Sequence, residues 1–122
     1  DKTELNSISE FFIGKDGKKP IIGSAKSNMG HLLTSAGMVG LLKVVLGMKN
    51  NLIPATIMVD EPISSKNGII GSDQIVTQNM EWPNNNGADH CAGINTFGFG
   101  GTNAHLILSS YDEKEKPKKE EQ

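Results

Sequence analysis

Two short stretches of this chain concentrate residues that can do chemistry. Residues 25–31 read AKSNMGH and place an ammonium (Lys26), a carboxamide (Asn28) and an imidazole (His31) within six residues, with Gly30 just before the histidine. Residues 95–105 read NTFGFGGTNAH, with Gly98, Gly100 and Gly101 around Phe99, then Asn103 and His105. A neutral imidazole held on a loop donates a hydrogen bond to a developing oxyanion or enolate. Gly30 lets the backbone turn closely, Lys26 supplies a fixed positive charge, and Asn28 can brace the loop. Glycines on both sides of Phe99 bare the backbone so that a main-chain N–H points into a pocket, the other common way to hold an oxyanion. A plainer reading stands beside each of these. His31 can be a helix-entry histidine satisfied by local backbone, Lys26 a surface lysine, and Phe99 a core plug. For His105 a structural role is preferred, and for Cys91 a buried, inert thiol, since no helix N-terminus or cation stands near to lower its pKa.

The elements that must position these residues follow from pattern. Leu5, Ile8, Phe11 and Phe12 recur at helical spacing over 1–13, with Gly14 as C-cap. KDGKK (15–19) is a polar turn, and PIIGSA (20–25) is a short buried strand. Thr34 or Ser35 caps a helix that runs to Lys49. Its stripe of Ala36, Gly40, Val44 and Gly47 beside Met38, Leu41, Leu42, Val45 and Leu46 predicts a deeply buried helix in tight contact with another backbone. Pro54 makes the next segment extended, 60–74 are irregular, and QIVTQNMEW (74–82) is one strand. PNNNGAD (83–89) is a loop. HCAGINTF (90–97) and NAHLILSSY (103–111) form an antiparallel pair across GFGG. The order predicts an α/β domain with a mixed sheet over residues 1–111. From Asp112 to Gln122 a run rich in Lys and Glu, with one proline and no apolar residue, predicts a disordered linker or tail.

Composition narrows the function. With 122 residues, 21% charged and a net charge of −2, the chain has no electrostatic case for nucleic acid or an anionic membrane. One cysteine forbids an internal disulfide and makes a reducing, cytoplasmic setting the default. The apolar run at 36–48 is broken by Gly37, Gly40, Lys43 and Gly47 and is short for a bilayer. No signal peptide leads the chain, and a start at Asp1 rather than methionine suggests a piece of a longer polypeptide. GFGGTN lacks the third glycine of a dinucleotide fingerprint and lies between strands, and no Walker P-loop occurs. His31, His90, His105 and Cys91 lack zinc-ligand spacing, and adjacent His90 and Cys91 point to opposite faces of a strand, so no metal is expected.

GSAKSNMGHLLTSAGMVGLLKVVLGMKNNLIPAT (23–56) together with AGINTFGFGGTNAHLIL (92–108) resembles the C-terminal half of β-ketoacyl synthases, above all the ketosynthase domains of polyketide synthases and multifunctional fatty acid synthases. The likeness runs from Asp1 to Leu108. It implies half of a thiolase-like fold, in which two α/β halves stack and the enzyme dimerises. It implies decarboxylative Claisen condensation of an acyl thioester with a malonyl-type extender on acyl carrier protein. No cofactor binds directly, because the carrier protein's phosphopantetheine holds the substrates. The partners implied are the N-terminal half of the ketosynthase, acyl carrier protein and a second copy of the enzyme. Carried over by position, His31 is the second active-site histidine, which hydrogen-bonds the extender's thioester carbonyl. Lys26 supports the charge network around it. Phe99 gives the oxyanion hole its backbone N–H and acts as a gate. Gly98, Gly100 and Gly101 give that loop freedom, and Asn28 and Asn103 brace the loops.

The family's nucleophilic cysteine and first histidine lie upstream of the matching stretch, and Cys91 matches neither. The resemblance therefore implies half of an active site and an inactive isolated chain. The glycine-rich face of the helix after His31 is expected to be uncovered and apolar. A thiolase is the first rival, but thiolases place a cysteine in the C-terminal glycine turn, where this chain has Phe99. A non-catalytic, chain-length-factor-like or carrier-protein-binding module is the second.

Overall fold

A computed structural model describes residues 2–15, 19–83 and 89–111. The linker expected at 112–122, the centre of the 15–19 turn and most of the 83–89 loop lie outside these residues. The helical spacing at the start gives α1 (Lys2–Phe11), with Leu5 buried and Gly14 at φ 70 after its end. A one-turn helix α2 (Lys26–Met29) carries the first chemical stretch, and α3 (Ala36–Lys49) follows. Strand β1 (Leu52–Ile53) pairs antiparallel with β2 (Met80–Glu81), and β3 (Cys91–Phe97) pairs antiparallel with β4 (Asn103–Ser109). The parallel pairing expected of a mixed sheet is limited, among the described residues, to an isolated bridge from Ile22 to Ile75 outside these two sheets.

Three expectations change against these elements. Residues 20–25 form no strand beyond that bridge. Ile22 exchanges bonds with Gln74 and Val76, but the polar groups of Ser24 go to side chains instead of a neighbouring strand, and Ile21 is exposed. Residues 74–82 are not one strand either. Ile75 bridges to Ile22, then Asn79 turns its carboxamide onto the Ala55 N–H (2.9 Å), and only Met80 and Glu81 pair with β1. Thr34 and Ser35 do not cap α3 with their side chains. A 3-10 turn over Leu33–Ser35 leads in, and its backbone bonds do the capping, with Ser35 N–H on Leu32 O and Ala36 N–H on Leu33 O.

The core is small. Leu5, Ile70, Val76 and Ile94 are buried, with Ser9, Thr56 and Ser65 among them. Ser65 closes the irregular 65–70 loop on itself by bonding Ile70 through both N–H and hydroxyl, and Asn6 of α1 accepts the Lys66 N–H (2.8 Å). A seven-residue strand alternates faces, so Ala92, Ile94 and Thr96 turn toward α3 and Cys91, Gly93, Asn95 and Phe97 turn away. That parity corrects the expected burial of Cys91: the thiol is exposed.

Helix α3 meets β3 and β1 through its small residues. A methyl on Gly37 would lie 2.6 Å from Thr96 Cγ2, and one on Gly47 would lie 2.6 Å from the Leu52 carbonyl oxygen. The glycine face is thus packed closely on its neighbours, as the small-residue stripe predicts, and is not the uncovered face expected from the missing half. The uncovered face is the bulky one: Met38, Leu42, Val45 and Leu46 are 59%, 53%, 44% and 56% exposed, so α3 is not deeply buried in this chain.

Alanine is the better helix former by about 1 kcal/mol. At position 47 the overlap with a backbone oxygen outweighs that gain. Gly47→Ala is expected to cost about 1–3 kcal/mol. It would show as a lower urea midpoint at unchanged slope; an equal or higher midpoint would mean that β1 can step aside freely.

Candidate functional site

The first chemical stretch is held by Ser24, whose three backbone and side-chain polar groups are all engaged. Its N–H donates to Thr56 Oγ1 (2.9 Å), its hydroxyl accepts the Lys26 N–H (3.2 Å), and its carbonyl accepts from Lys43 Nζ (2.8 Å). Ser27 adds a second tie by accepting the Ile57 N–H at 3.2 Å. Helix α2 then ends where the Gly30 N–H returns to Lys26 O (2.7 Å). Gly30 has φ 75 and ψ −178, a conformation open to glycine and strained for other residues, and it redirects the chain into His31.

His31 is exposed, and its Nδ1 accepts the Leu33 N–H at 3.2 Å. Leu33 itself sits at φ 48, a left-handed backbone that costs a non-glycine residue roughly 1–2 kcal/mol. The hydrogen bond also decides the tautomer. With Nδ1 acting as acceptor, the neutral ring carries its proton on Nε2, where it can be donated outward.

The second stretch forms the turn between β3 and β4. Gly98 N–H bonds Thr102 O (2.9 Å), and Gly101 N–H bonds Gly98 O (3.2 Å). Gly100 and Gly101 take φ 94 and 89, and a methyl on Gly98 would lie 2.7 Å from Thr102 O. Phe99 stands at the tip, 89% exposed, and its N–H meets no acceptor among the described residues. The core-plug reading of Phe99 therefore fails. Its ring lies 6.2 Å from the His31 ring at an interplanar angle of 16°, within the range of offset stacking. The fold thus brings the imidazole of His31 against the ring of Phe99 from stretches some 70 residues apart in sequence.

The other expected residues are less engaged. Lys26 opens α2 and is exposed, with no hydrogen bond or ion pair to its ammonium among the described residues. Asn28 takes only a 3.4 Å bond from its neighbour Ser27, so the bracing expected of Asn28 falls to Ser27. Asn103 begins β4 opposite Phe97 and serves through register. His105 bonds Asn95 Oδ1 through Nδ1 (2.6 Å), and Asn95 Nδ2 donates to Glu4 Oε1 (3.3 Å), which ties α1 to the β3–β4 ribbon. His90 lies 5.2 Å from Trp82, ring centre to ring centre, beside a cleft of about 570 Å³ lined also by Asn51, Met80, Glu81 and Pro83.

Sequence reasoning missed Lys43. Its ammonium donates to Ser24 O (2.8 Å) and Ala55 O (3.1 Å), and burial pushes its pKa below the ordinary lysine value. The available signal was a cation in the middle of an apolar helix whose other lysine, Lys49, stands at its end. Among the described residues no group of three or more His, Cys, Asp or Glu gathers, and no helix is long and apolar enough to cross a membrane.

Residues 1–60 match the family described as "Beta-ketoacyl synthase, C-terminal domain", and residues 60–122 match "Ketoacyl-synthetase C-terminal extension". The pikromycin polyketide synthase component PikAII of Streptomyces venezuelae is 36% identical over 103 residues, covering 83% of this chain and 3% of that protein. A polyunsaturated fatty acid synthase component from a Thraustochytrium species is 36% identical over 112 residues, covering 92% of this chain and 5% of that protein. A solved structure described as "PfaC Keto synthase-Chain length factor" superposes with a TM-score of 0.83 at 45% identity, over 91% of this chain and 12% of that one. The chain thus spans a small fraction of the proteins it resembles.

Lys43 makes one pH effect predictable. Its folded pKa lies below the unfolded one, so between the two values the unfolded chain binds more protons. The stability this group contributes therefore rises with pH across that window and is flat on either side. Subtracting the urea stability of Lys43→Met from that of the wild type should give a difference that rises as pH approaches the ordinary lysine value of about 10.5 from below. A falling difference would mean that the two carbonyls favour the ammonium by more than burial penalises it.

Proposed function

Because this chain belongs to the β-ketoacyl synthase family and corresponds to the C-terminal half of such a synthase, we propose that it serves a decarboxylative condensation in fatty acid or polyketide synthesis. An acyl group waits as a thioester on a cysteine supplied by the N-terminal half. The malonyl-type extender arrives on the phosphopantetheine of acyl carrier protein. Its carbon–carbon bond to the carboxylate breaks, CO₂ leaves, and the electron pair moves onto the thioester oxygen. The His31 Nε2–H donates to that oxygen as it becomes an enolate. The enolate carbon then attacks the acyl thioester, and the Phe99 N–H holds the oxyanion until the cysteine thiolate leaves. The observation that carries this reading is the stacking of the His31 ring, whose Nδ1 is taken by the Leu33 N–H, on the ring of Phe99, whose own N–H meets no acceptor among the described residues.

Lys26 supplies positive potential to the same loop, and Phe99, exposed on its glycine turn, gates the site. The bare outer face of α3 receives the N-terminal half, and the complete enzyme works as a homodimer in the cytoplasm. A non-catalytic reading draws on one observation: the solved protein with TM-score 0.83 is described as a keto synthase together with a chain length factor.

Two measurements test these assignments. In the complete synthase, His31→Ala should cut β-ketoacyl product formation about 10²–10³-fold, and the 122-residue chain alone should form none from acyl and malonyl carrier-protein thioesters. A complete synthase that binds carrier protein without condensing would favour the chain-length-factor role. Separately, the chain mixed with the N-terminal half should co-elute with it, and Leu42→Asp with Leu46→Asp should abolish the complex; co-elution unaffected by that pair would place the contact elsewhere.

A further inference from the structure

Lys43 lies in the middle of α3, yet both of its acceptors belong to other segments. One is the carbonyl of Ser24, at the entrance to α2, and the other is the carbonyl of Ala55, just beyond β1. The neighbouring residue Thr56 is buried, and its hydroxyl accepts the Ser24 N–H. The ammonium and the threonine thus grip the same residue from two sides. Ser24 passes that constraint on, because its hydroxyl accepts the Lys26 N–H that starts α2. From Lys26 the chain makes one turn, closes with the Gly30 N–H on Lys26 O, and delivers His31. Two hydrogen bonds, Lys26 N–H on Ser24 Oγ and Gly30 N–H on Lys26 O, thus tie the chain between Ser24 and the imidazole.

A half-buried ammonium in an apolar helix is costly unless its protons are used. Here two of them bridge carbonyls that no backbone donor takes up among the described residues. An apolar side chain at position 43 would leave both carbonyls without that partner. A guanidinium, with its several N–H groups, can still reach two.

We propose that Lys43 is a positioning residue for His31, acting through Ser24 to hold the AKSNMGH stretch at the distance from the glycine turn that lets His31 stack on Phe99. The consequence for catalysis rests on the function proposed above; the positioning itself does not.

The test reads the imidazole directly. In the 122-residue chain, ¹⁵N NMR should show His31 of the wild type and of Lys43→Arg with its proton on Nε2. In Lys43→Met the ratio of the Nε2–H to the Nδ1–H tautomer should fall about fivefold to tenfold as the Leu33 N–H bond loosens. The β3–β4 amides and the His105 ring should keep their shifts. A ratio within twofold of wild type, or β3–β4 shifts as large as those at residues 24–33, would overturn the proposal. If Lys43→Met does not fold, Lys43→Gln, which can satisfy at most one of the carbonyls well, takes its place under the same criteria. In the complete synthase, Lys43→Met should lower kcat for condensation about tenfold and leave acylation of the cysteine within twofold, with Lys43→Arg restoring condensation. Equal losses in both steps would assign Lys43 a general structural role and overturn the proposal. A wild-type synthase that does not condense would count against the proposed reaction alone, and the tautomer ratio would still decide the positioning.

Discussion

Everything else in this chain depends on how closely α3 can approach the strands beside it. At Gly37 and Gly47 there is no room for a side chain, since a methyl at either would stand 2.6 Å from Thr96 or from the Leu52 carbonyl. Glycine inside a helix costs roughly 1 kcal/mol against alanine, and the contact with β3 and β1 is what offsets it. The approach puts the N-terminal end of α3, with His31 just ahead of it, near the end of β3 that runs into the glycine turn. Had the helix stood off by one side-chain layer, His31 and Phe99 would not share a surface.

Within that arrangement, hydrogen bonds rather than apolar burial locate the chemical groups. Few large side chains are fully covered. The loop bearing His31 is tied by a serine, a threonine and a lysine, and the turn bearing Phe99 by two backbone bonds of its own. The division suits a reacting surface. Apolar packing tolerates small slides, whereas a carbonyl fixed by an ammonium at 2.8 Å and an amide fixed by a hydroxyl at 2.9 Å define a direction.

The local patterns were legible in the sequence, and so was the meeting of the two motifs once the family resemblance was drawn. α1, α3 and the β3–β4 pair fall where periodicity and turn residues place them. Residues 20–25 and 74–82 were misread because an apolar run says that a strand is possible but not where its backbone partners are. Here those partners are the side chains of Thr56, Lys43 and Asn79. Cys91 was misplaced for a simpler reason: parity along β3 is set by which residues meet α3, and that meeting is a tertiary fact. The small stripe of α3 was legible as the face that another backbone approaches, but the exposure of its bulky face was not, because that depends on what else covers the helix. Lys43 was seen only as an interruption of an apolar run, since its two acceptors are 19 and 12 residues away.

The bond from Asn95 to Glu4 spans 91 residues, and it bears on the order in which the chain assembles. Loop-closure entropy grows with the logarithm of loop length, so joining α1 to the ribbon costs roughly 2–3 kcal/mol more than closing the five-residue turn between β3 and β4. The hairpin is the cheapest long element to form, and α3 then needs to find it across only about forty residues. The N-terminal helix is therefore held by the contacts that span the most sequence among the described residues, Asn95 to Glu4 and Lys66 to Asn6, and it carries the largest closure cost.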